Sequence, residues 1–438
     1  MTDNALASNK YKRINTVRLS FVLIPLALFF IGGIFNSQFF LAAFIFSCIV
    51  CINLTNNEIF CVLFFQLPFT MVFKINPDKT SLFTYFSLIV AVLMLIRIKK
   101  IPKKVFILIA LMAIYLLPGV KNDYTMYIKL IVNFFLLYFF IIFSDEEHFS
   151  RYIFALAMGL CLSSVLGLYK QDLPSLSRFF TDFNEEYISG VKTVRFSGLH
   201  LDPNYYSIIV MTVIFSLLSI LIKYKKHKKL NITLIFTLIL FGLLTYSKIA
   251  VAGLAIIILF IFNLLIKRKK VFSSLIFLII LVTALVTLYY KTDIIDNFIY
   301  RFSAEDISNN RFDIWDRYLG FITASVKNLF IGVGIGAGYY GSGPHNFYIE
   351  LVYFLGIIGT FIYALTFVTI LKVKSLLKKR SLLNNALFII IGTMSTTLGM
   401  FRNNDFIYLM MFCWMFLNFD FLKDKNIIME KNVNVKSS

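Results

Sequence analysis

The stretch Phe272-Ser-Ser-Leu-Ile-Phe-Leu-Ile-Ile-Leu-Val-Thr-Ala-Leu-Val-Thr-Leu-Tyr-Tyr290 carries no charged residue. A hydrocarbon core of about 30 Å takes about 20 apolar residues of helix to cross, and this run has that length. Comparable runs recur near Leu19–Phe35, Phe39–Leu54, Leu82–Ile96 and Met211–Ile222. Their length, and the absence of an in-out alternation, points to helices and away from a membrane barrel. Composition agrees. Apolar residues make up 59% of the chain and charged ones 15%, against about half and about a quarter in soluble domains. The fold class is therefore all-α: a polytopic transmembrane helical bundle in a single integral membrane domain, 1–438.

Working outward from these runs, the sequence predicts fourteen spans. They fall near 19–35, 38–54, 59–74, 82–98, 105–119, 125–143, 152–169, 204–222, 230–246, 249–266, 271–290, 346–371, 382–400 and 406–422. The least defined are 38–54 with 59–74 and the short 105–119, and dropping an adjacent pair leaves twelve. A net charge of +20 does not indicate nucleic acid here. The basic residues cluster between spans, at Arg97–Lys104, Lys223–Lys229, Lys267–Lys270 and Lys372–Arg380. This is the pattern of cytoplasmic loops beside an anionic leaflet. With both termini cytoplasmic, about 28 of the 43 basic residues lie inside, and the acidic residues show the opposite bias. Lys10, Lys12, Arg13 and Arg18 precede the first span like a signal anchor, with no cleavage site following. Cys48, Cys51, Cys61, Cys161 and Cys413 all sit in apolar runs and read as core residues.

Two outer segments stand out by length, 170–203 and 291–345. Long loops in compact folds tend to be functional. In the second, Trp315, Leu319, Ile322, Val326 and Phe330 recur at helical spacing. They predict an amphipathic helix on the outer face, with Trp315 and Tyr318 at headgroup level. Gly332-Val-Gly-Ile-Gly-Ala-Gly338 then breaks the pattern. No lysine follows and no strand precedes it, so it is not a nucleotide loop. It reads as backbone kept bare for a bulky ligand.

Three polar clusters fall on the same outer side. In Arg195-Phe-Ser-Gly-Leu-His-Leu-Asp-Pro-Asn204, Pro203 suits a first helical turn and Asp202 its N-cap. Gly198 permits a tight turn that brings Arg195 to the helix N-terminus, and the two together make an anion site. A plain capped helix with a snorkelling arginine would look the same locally. Ser247-Lys248 forms the tip of a tight helical hairpin, where a simple turn residue reaching water is the alternative. Gly343-Pro344-His345-Asn346 heads an apolar span, with Glu350 a turn further on. Of the four histidines, His148 and His227 fall on the cytoplasmic side, and His200 and His345 outside. Histidine is the side chain whose ordinary pKa suits proton transfer near neutral pH. No metal-ligand spacing accompanies it. Arg311 follows Ser308-Asn309-Asn310, which can cap a helix, and lies one turn before Trp315.

Taken in order, Arg195-x-x-Gly198-x-x-x-Asp202-Pro203-Asn204, Ser247-Lys248, Asn310-Arg311-x-x-x-Trp315, Gly332-Val-Gly334 and His345-Asn346-x-x-x-Glu350 resemble the O-antigen ligase and O-antigen polymerase superfamily. The resemblance is strongest from about Arg195 to Gly359. Lys248 stands where the family more often has arginine, which keeps the charge but loses bidentate geometry. The resemblance implies a glycosyltransferase. It would move a polyprenyl-pyrophosphate-linked glycan to a hydroxyl acceptor on the outer face of the cytoplasmic membrane, without metal, nucleotide or other cofactor. Arg195 and Arg311, aided by Lys248, would hold the pyrophosphate, and His345 would activate or position the acceptor. Glu350 or Asp202 could also take the proton. Gly198, Pro203, Asn204 and Asn346 would support the site.

The first expectation is a repeat-unit polymerase of the O-antigen or capsular type, inverting in its stereochemistry. Its partners would be lipid-linked oligosaccharide donor and acceptor, membrane lipids, and flippase and chain-length regulator proteins, with no nucleic acid. A ligase acting on a lipid A core or protein hydroxyl is the near alternative. A lipid-linked oligosaccharide flippase is the alternative of another class, but transporters carry ionisable groups at mid-membrane. Here the span interiors are almost free of them.

Overall fold

A computed structural model describes residues 24–267, 311–339, 343–372 and 391–418, together with isolated positions from 272 to 299. Within these ranges it leaves out 26, 37, 75–79, 99, 181–184, 189–190, 225–227, 393–394, 396–397, 400 and 402–404. The span expected at 271–290 lies mostly outside the described residues. So do the first half of the one at 382–400, the 291–310 part of the large loop with Arg301 and the Ser308–Asn310 cap, His227 and both tails.

The described chain is a helical bundle. Its first half comprises α1 (Gln38–Asn53), α2 (Asn56–Gln66), α3 (Leu82–Arg97), α4 (Lys103–Leu116), α5 (Tyr124–Phe143) and α6 (Phe149–Leu168). A hairpin of β1 (Glu185–Ile188) and β2 (Val191–Val194) follows. Then come α7 (Pro203–Tyr224), α8 (Lys228–Leu243), α9 (Lys248–Lys267), α10 (Arg311–Thr323), α11 (Val326–Ile331), α12 (Phe347–Lys372) and α13 (Asp405–Asn418). Among the described residues, four helices are long and apolar enough to cross a membrane: Tyr124–Phe143, Phe149–Leu168, Pro203–Leu221 and Phe347–Lys372. Apolar helices of 10–17 residues accompany them at Gln38–Asn53, Leu82–Arg97, Lys248–Asn263 and Phe406–Phe416. The bundle bears out the all-α reading, with one addition. The hairpin is antiparallel, with Glu185 opposite Val194 and Ile188 opposite Val191, in a segment read from sequence only as an ordered loop.

Local chemistry sets the helix ends. Thr55 and Glu58 form a capping box at the start of α2, and Asp123 accepts from Met126 N at 2.9 Å at the start of α5. Each satisfies backbone donors that a helix terminus would otherwise leave bare. Arg97 donates to the carbonyls of Leu54 (2.7 Å) and Ile52 (2.8 Å), a cation on the last carbonyls of α1. Buried hydroxyls bond back within their own helices, as Ser216 does to Thr212 O and Ser219 to Phe215 O. A hydroxyl in an apolar interior otherwise loses its water without compensation. The interior is aromatic, with Phe60 edge-on to Phe140 at 5.0 Å and Phe64 beside Phe412 at 4.8 Å. Ile45, Ile49 and Ile52 on α1 and Ile107 and Ile114 on α4 face outward, as a lipid-facing surface requires.

The bundle has two polar ends. At one, Tyr152 donates to Asn57 Oδ1 at 2.7 Å, and Asp145 bonds His148 at 2.7 Å. At the other lie the C-terminus of α6, the N-terminus of α7, the α8–α9 tip and the N-terminus of α12, and there the motif residues gather.

Helix α12 is discontinuous. Gly356 has φ 61° and ψ −176°, a region essentially closed to other residues. The carbonyls freed by the break find partners on the glycine run. Val333 N donates to Tyr353 O and Gly334 N to Phe354 O, both at 3.0 Å. The Tyr115 hydroxyl on α4 completes the lock, lying 2.6 Å from Leu355 O and 3.0 Å from Ile331 O.

Candidate functional site

Strand β2 delivers Arg195 to the α8–α9 tip, where Phe196 N donates to Leu244 O at 3.1 Å. Arg195 is 5% exposed. Its Nε donates to Thr245 O at 3.1 Å, and its terminal nitrogen to Asn204 Oδ1 at 3.0 Å. The same Asn204 oxygen accepts from Ser247 Oγ at 2.7 Å. Thr245 Oγ1 accepts from Ser207 Oγ at 3.0 Å and from Ser247 N at 3.2 Å. One hydrogen-bonded junction thus joins the loop, the first turn of α7 and the hairpin tip, where Tyr246 takes a left-handed conformation (φ 47°). Pro203 opens α7, and Asp202 Oδ1 accepts from Asn204 N at 2.6 Å. Lys248 is the first residue of α9 and is half-buried.

Gly198 is required twice. Its φ is +55°, and a Cβ there would sit 2.8 Å from the Tyr206 ring. The turn packs so closely on α6 that a Cβ on Gly167 would meet Gly198 Cα at 2.5 Å.

His345 comes from the loop that leads into α12. It also has φ 47°, uncommon for a residue with a Cβ, although histidine tolerates it better than most. Its neighbours hold it there. Trp315 Nε1 donates to Pro344 O at 2.8 Å. Asn346 Oδ1 caps α12 by accepting from Tyr348 N (3.0 Å) and Ile349 N (3.2 Å). A strained residue held from both sides is the kind of outlier found at functional sites. Solvent reaches His345, but the surrounding protein still strips water from the imidazole. Burial, and after it the charge of Arg311, holds its pKa below the ordinary histidine value, while Asp202 pulls it the other way. The structure therefore brings Arg311, Asp202 and His345 into one electrostatic neighbourhood, and Asp202 is two residues from the Arg195–Asn204–Ser247 junction.

Glu350 is turned elsewhere. It is fully buried. One carboxylate oxygen accepts from the Tyr339 hydroxyl at 2.5 Å, and the other from Phe401 N at 3.0 Å. It braces the glycine-rich loop, and the chain at Gly399 and Phe401, against α12. The Tyr205 hydroxyl, from the first turn of α7, donates to Gly399 O.

Two sequence expectations need correction. Tyr318 does not face outward from an amphipathic surface: it is buried and packs edge-on against Tyr353 at 4.9 Å. The helix carrying it also stops at Thr323 and restarts at Val326 with Ser325 as N-cap. The expected apolar stripe is therefore divided, with Ile322 inside and Leu319, Val326 and Phe330 outside. The glycine run, expected to face a ligand, is split: Gly332 and Gly336 pack on protein, while Gly334 and Gly338 have nothing within 4 Å of a Cβ. A Cβ on Gly332 would sit 2.5 Å from Gly356 N and 2.6 Å from Phe354 O.

Sequence reasoning missed Lys170, Tyr205, Thr245 and Tyr339. For Lys170 there was a signal, a lone basic residue directly after an apolar span on the side that the charge bias leaves poor in lysine. Among the described residues, no group of three or more His, Cys, Asp or Glu side chains is placed to hold a metal ion. An apolar cavity of about 930 Å³ lies between the 25–66 segment and α6, lined by residues such as Phe30, Val62, Phe65 and Met158. None of the motif residues lines it.

A helical membrane bundle with a polar site built across the mouths of α7, α9 and α12 is the class that these features define. Residues 232–364 match a family model described as O-antigen ligase. That match, over less than a third of the chain, supports a likeness to the O-antigen ligase and polymerase superfamily. It covers Ser247, Lys248, Arg311, the glycine run, His345, Asn346 and Glu350, while the Arg195–Asn204 motif precedes it. No curated protein and no solved structure matches the chain.

Proposed function

We propose that this chain polymerises polyprenyl-pyrophosphate-linked oligosaccharide repeat units at the outer face of the cytoplasmic membrane. The observation that carries the proposal is the neighbourhood of His345, Arg311 and Asp202 at the mouth of α12. The acceptor hydroxyl attacks the anomeric carbon of the donor, the bond from that carbon to the pyrophosphate oxygen breaks, and the configuration inverts. The pair of electrons leaves with the pyrophosphate, whose charge Arg311, Lys248 and the field of Arg195 offset. Charge stabilisation of this kind in a dry site is commonly the largest catalytic term.

His345 takes the hydroxyl proton. Burial and Arg311 keep its imidazole neutral and ready to accept, and Asp202 favours the imidazolium that results. General-base help of this sort is worth roughly 10²–10⁴-fold. Glu350, with both oxygens engaged in the interior, serves as a brace and not as the proton acceptor. Arg195, spent on Thr245 and Asn204, organises the junction and contributes its charge.

The description of the matching family favours a second reading, transfer of a finished glycan to a different acceptor. One experiment separates the two. Purified protein in lipid nanodiscs is given a single defined lipid-linked repeat unit, without nucleotide sugar. A ladder of products supports the polymerase. Product only when a second acceptor is added supports the ligase. No turnover under either condition overturns both.

A further inference from the structure

Lysine is almost never fully buried without a partner, yet Lys170 is 8% exposed. It lies just past the C-terminus of α6, where the last carbonyls favour a cation. Its Nζ donates to Ser197 Oγ at 3.0 Å and to Gly198 O at 3.3 Å, and sits 4.9 Å from the centre of the Phe180 ring. Ser197 Oγ in turn donates to His200 O at 2.6 Å, and His200 N to Ser197 O at 2.9 Å. The turn so gripped has Arg195 on one flank and Asp202 on the other. It rests on α6 through the Gly167–Gly198 contact, which leaves it little room to adjust.

We propose that Lys170 is a positioning residue, a buried cation that clamps the Ser197–His200 turn and so sets where Arg195 and Asp202 stand relative to His345. The inference rests on the reading above, that this end of the bundle binds a lipid pyrophosphate.

Burial pushes the ammonium down to about 8. The charged or titratable groups of the elements around it are Tyr169 and Asp172 on its own turn, Arg178 held over the Phe179 ring at 4.6 Å, Arg195, His200 and Asp202 in and beside the clamped turn, and Tyr206 packed against Gly198. Losing the proton turns two charge-assisted bonds into weaker amine ones.

The test uses the full chain in nanodiscs, with farnesyl pyrophosphate as the probe and its binding measured from pH 7 to 9.5. The wild type should bind and weaken several-fold as pH rises through about 8. Arg311→Ala should lose binding, which checks the underlying reading. Lys170→Met should bind at least tenfold more weakly across the whole range, with a melting temperature unchanged or raised because a desolvated charge is gone. Ser197→Ala removes one of the two contacts while the ammonium keeps Gly198 O, so it should weaken binding in the same direction but retain the pH dependence, and it decides the matter if Lys170→Met folds poorly. If the wild type does not bind, or Arg311→Ala binds normally, the lipid-pyrophosphate reading fails. If those controls behave but Lys170→Met, or Ser197→Ala in its place, binds as the wild type does, Lys170 positions nothing.

Discussion

Replacing Gly332 by alanine should be among the most damaging single-methyl changes in this protein. Gly332 (φ 76°, ψ −174°) and Gly356 (φ 61°, ψ −176°) both occupy backbone space that is essentially reserved for glycine. They also face each other. A Cβ on Gly332 meets Gly356 N at 2.5 Å and Phe354 O at 2.6 Å, and a Cβ on Gly356 runs into the Phe330 carbonyl. The conformation alone costs about 1–3 kcal/mol, and forcing a methyl against backbone adds about 1–3 kcal/mol. Each single variant should therefore lose about 2–6 kcal/mol. The double variant should lose less than the sum, because both methyls relieve themselves by separating the same two strands of chain. Two neighbours serve as controls. Gly334 has φ +88° with nothing within 4 Å of a Cβ, so Gly334→Ala should show the conformational part alone. Gly338 has neither restriction and Gly338→Ala should be silent. The assay is thermal unfolding in detergent followed by the fluorescence of Trp315 and Trp414, the chain's two tryptophans. Trp315 is bonded to Pro344 beside His345, so its signal should change before that of the bundle. If Gly332→Ala melts like the wild type, or no worse than Gly338→Ala, the glycine lock on α12 is not a feature of the folded protein.

His345→Ala should abolish product formation while leaving expression and melting intact, as measured in the nanodisc assay. Because burial and Arg311 lower the imidazole pKa, the acid limb of activity should lie below the ordinary histidine value. Arg311→Gln should move it up and Asp202→Asn should move it further down. The stability that this histidine contributes should fall as pH is lowered from its unfolded value towards its folded one, since the unfolded chain binds the proton first. Glu350→Gln keeps the shape but sets an amide NH₂ against one of two donors, the Tyr339 hydroxyl or Phe401 N. It should cost about 1.5–3 kcal/mol in melting experiments and leave the acid limb where it was, whereas a moved limb would return Glu350 to the list of proton acceptors. In a background cleared of natural cysteines, Lys192→Cys and Lys327→Cys should label with an impermeant maleimide from outside intact cells and Lys226→Cys should not. The reverse pattern would invert the topology.

The helical class was legible because it depends on a local property. An apolar run such as Pro203–Leu221 needs only length and lack of charge to be recognised, and it forms a helix because its backbone has no other partner in an apolar medium. The N-cap at Asp202 was legible for the same reason, since a cap bonds within three residues of itself. What sequence could not decide is every partnership across the chain. Arg195 reaches Thr245, Glu350 reaches Phe401, Lys170 reaches Ser197, and Gly332 meets Gly356. Local pattern carries no information about such distant pairs. Hence the same carboxylate reads as a candidate base in the motif and folds as a buried brace. Gly332 reads as part of a ligand loop and folds as a backbone lock. A lysine at a span end reads as a loop boundary and folds as a clamp. Residue type and spacing determined which groups this end of the membrane bundle holds. Only tertiary packing decided which of them are stripped of water, as Arg195 and Glu350 are, and which, like His345, stay within reach of it.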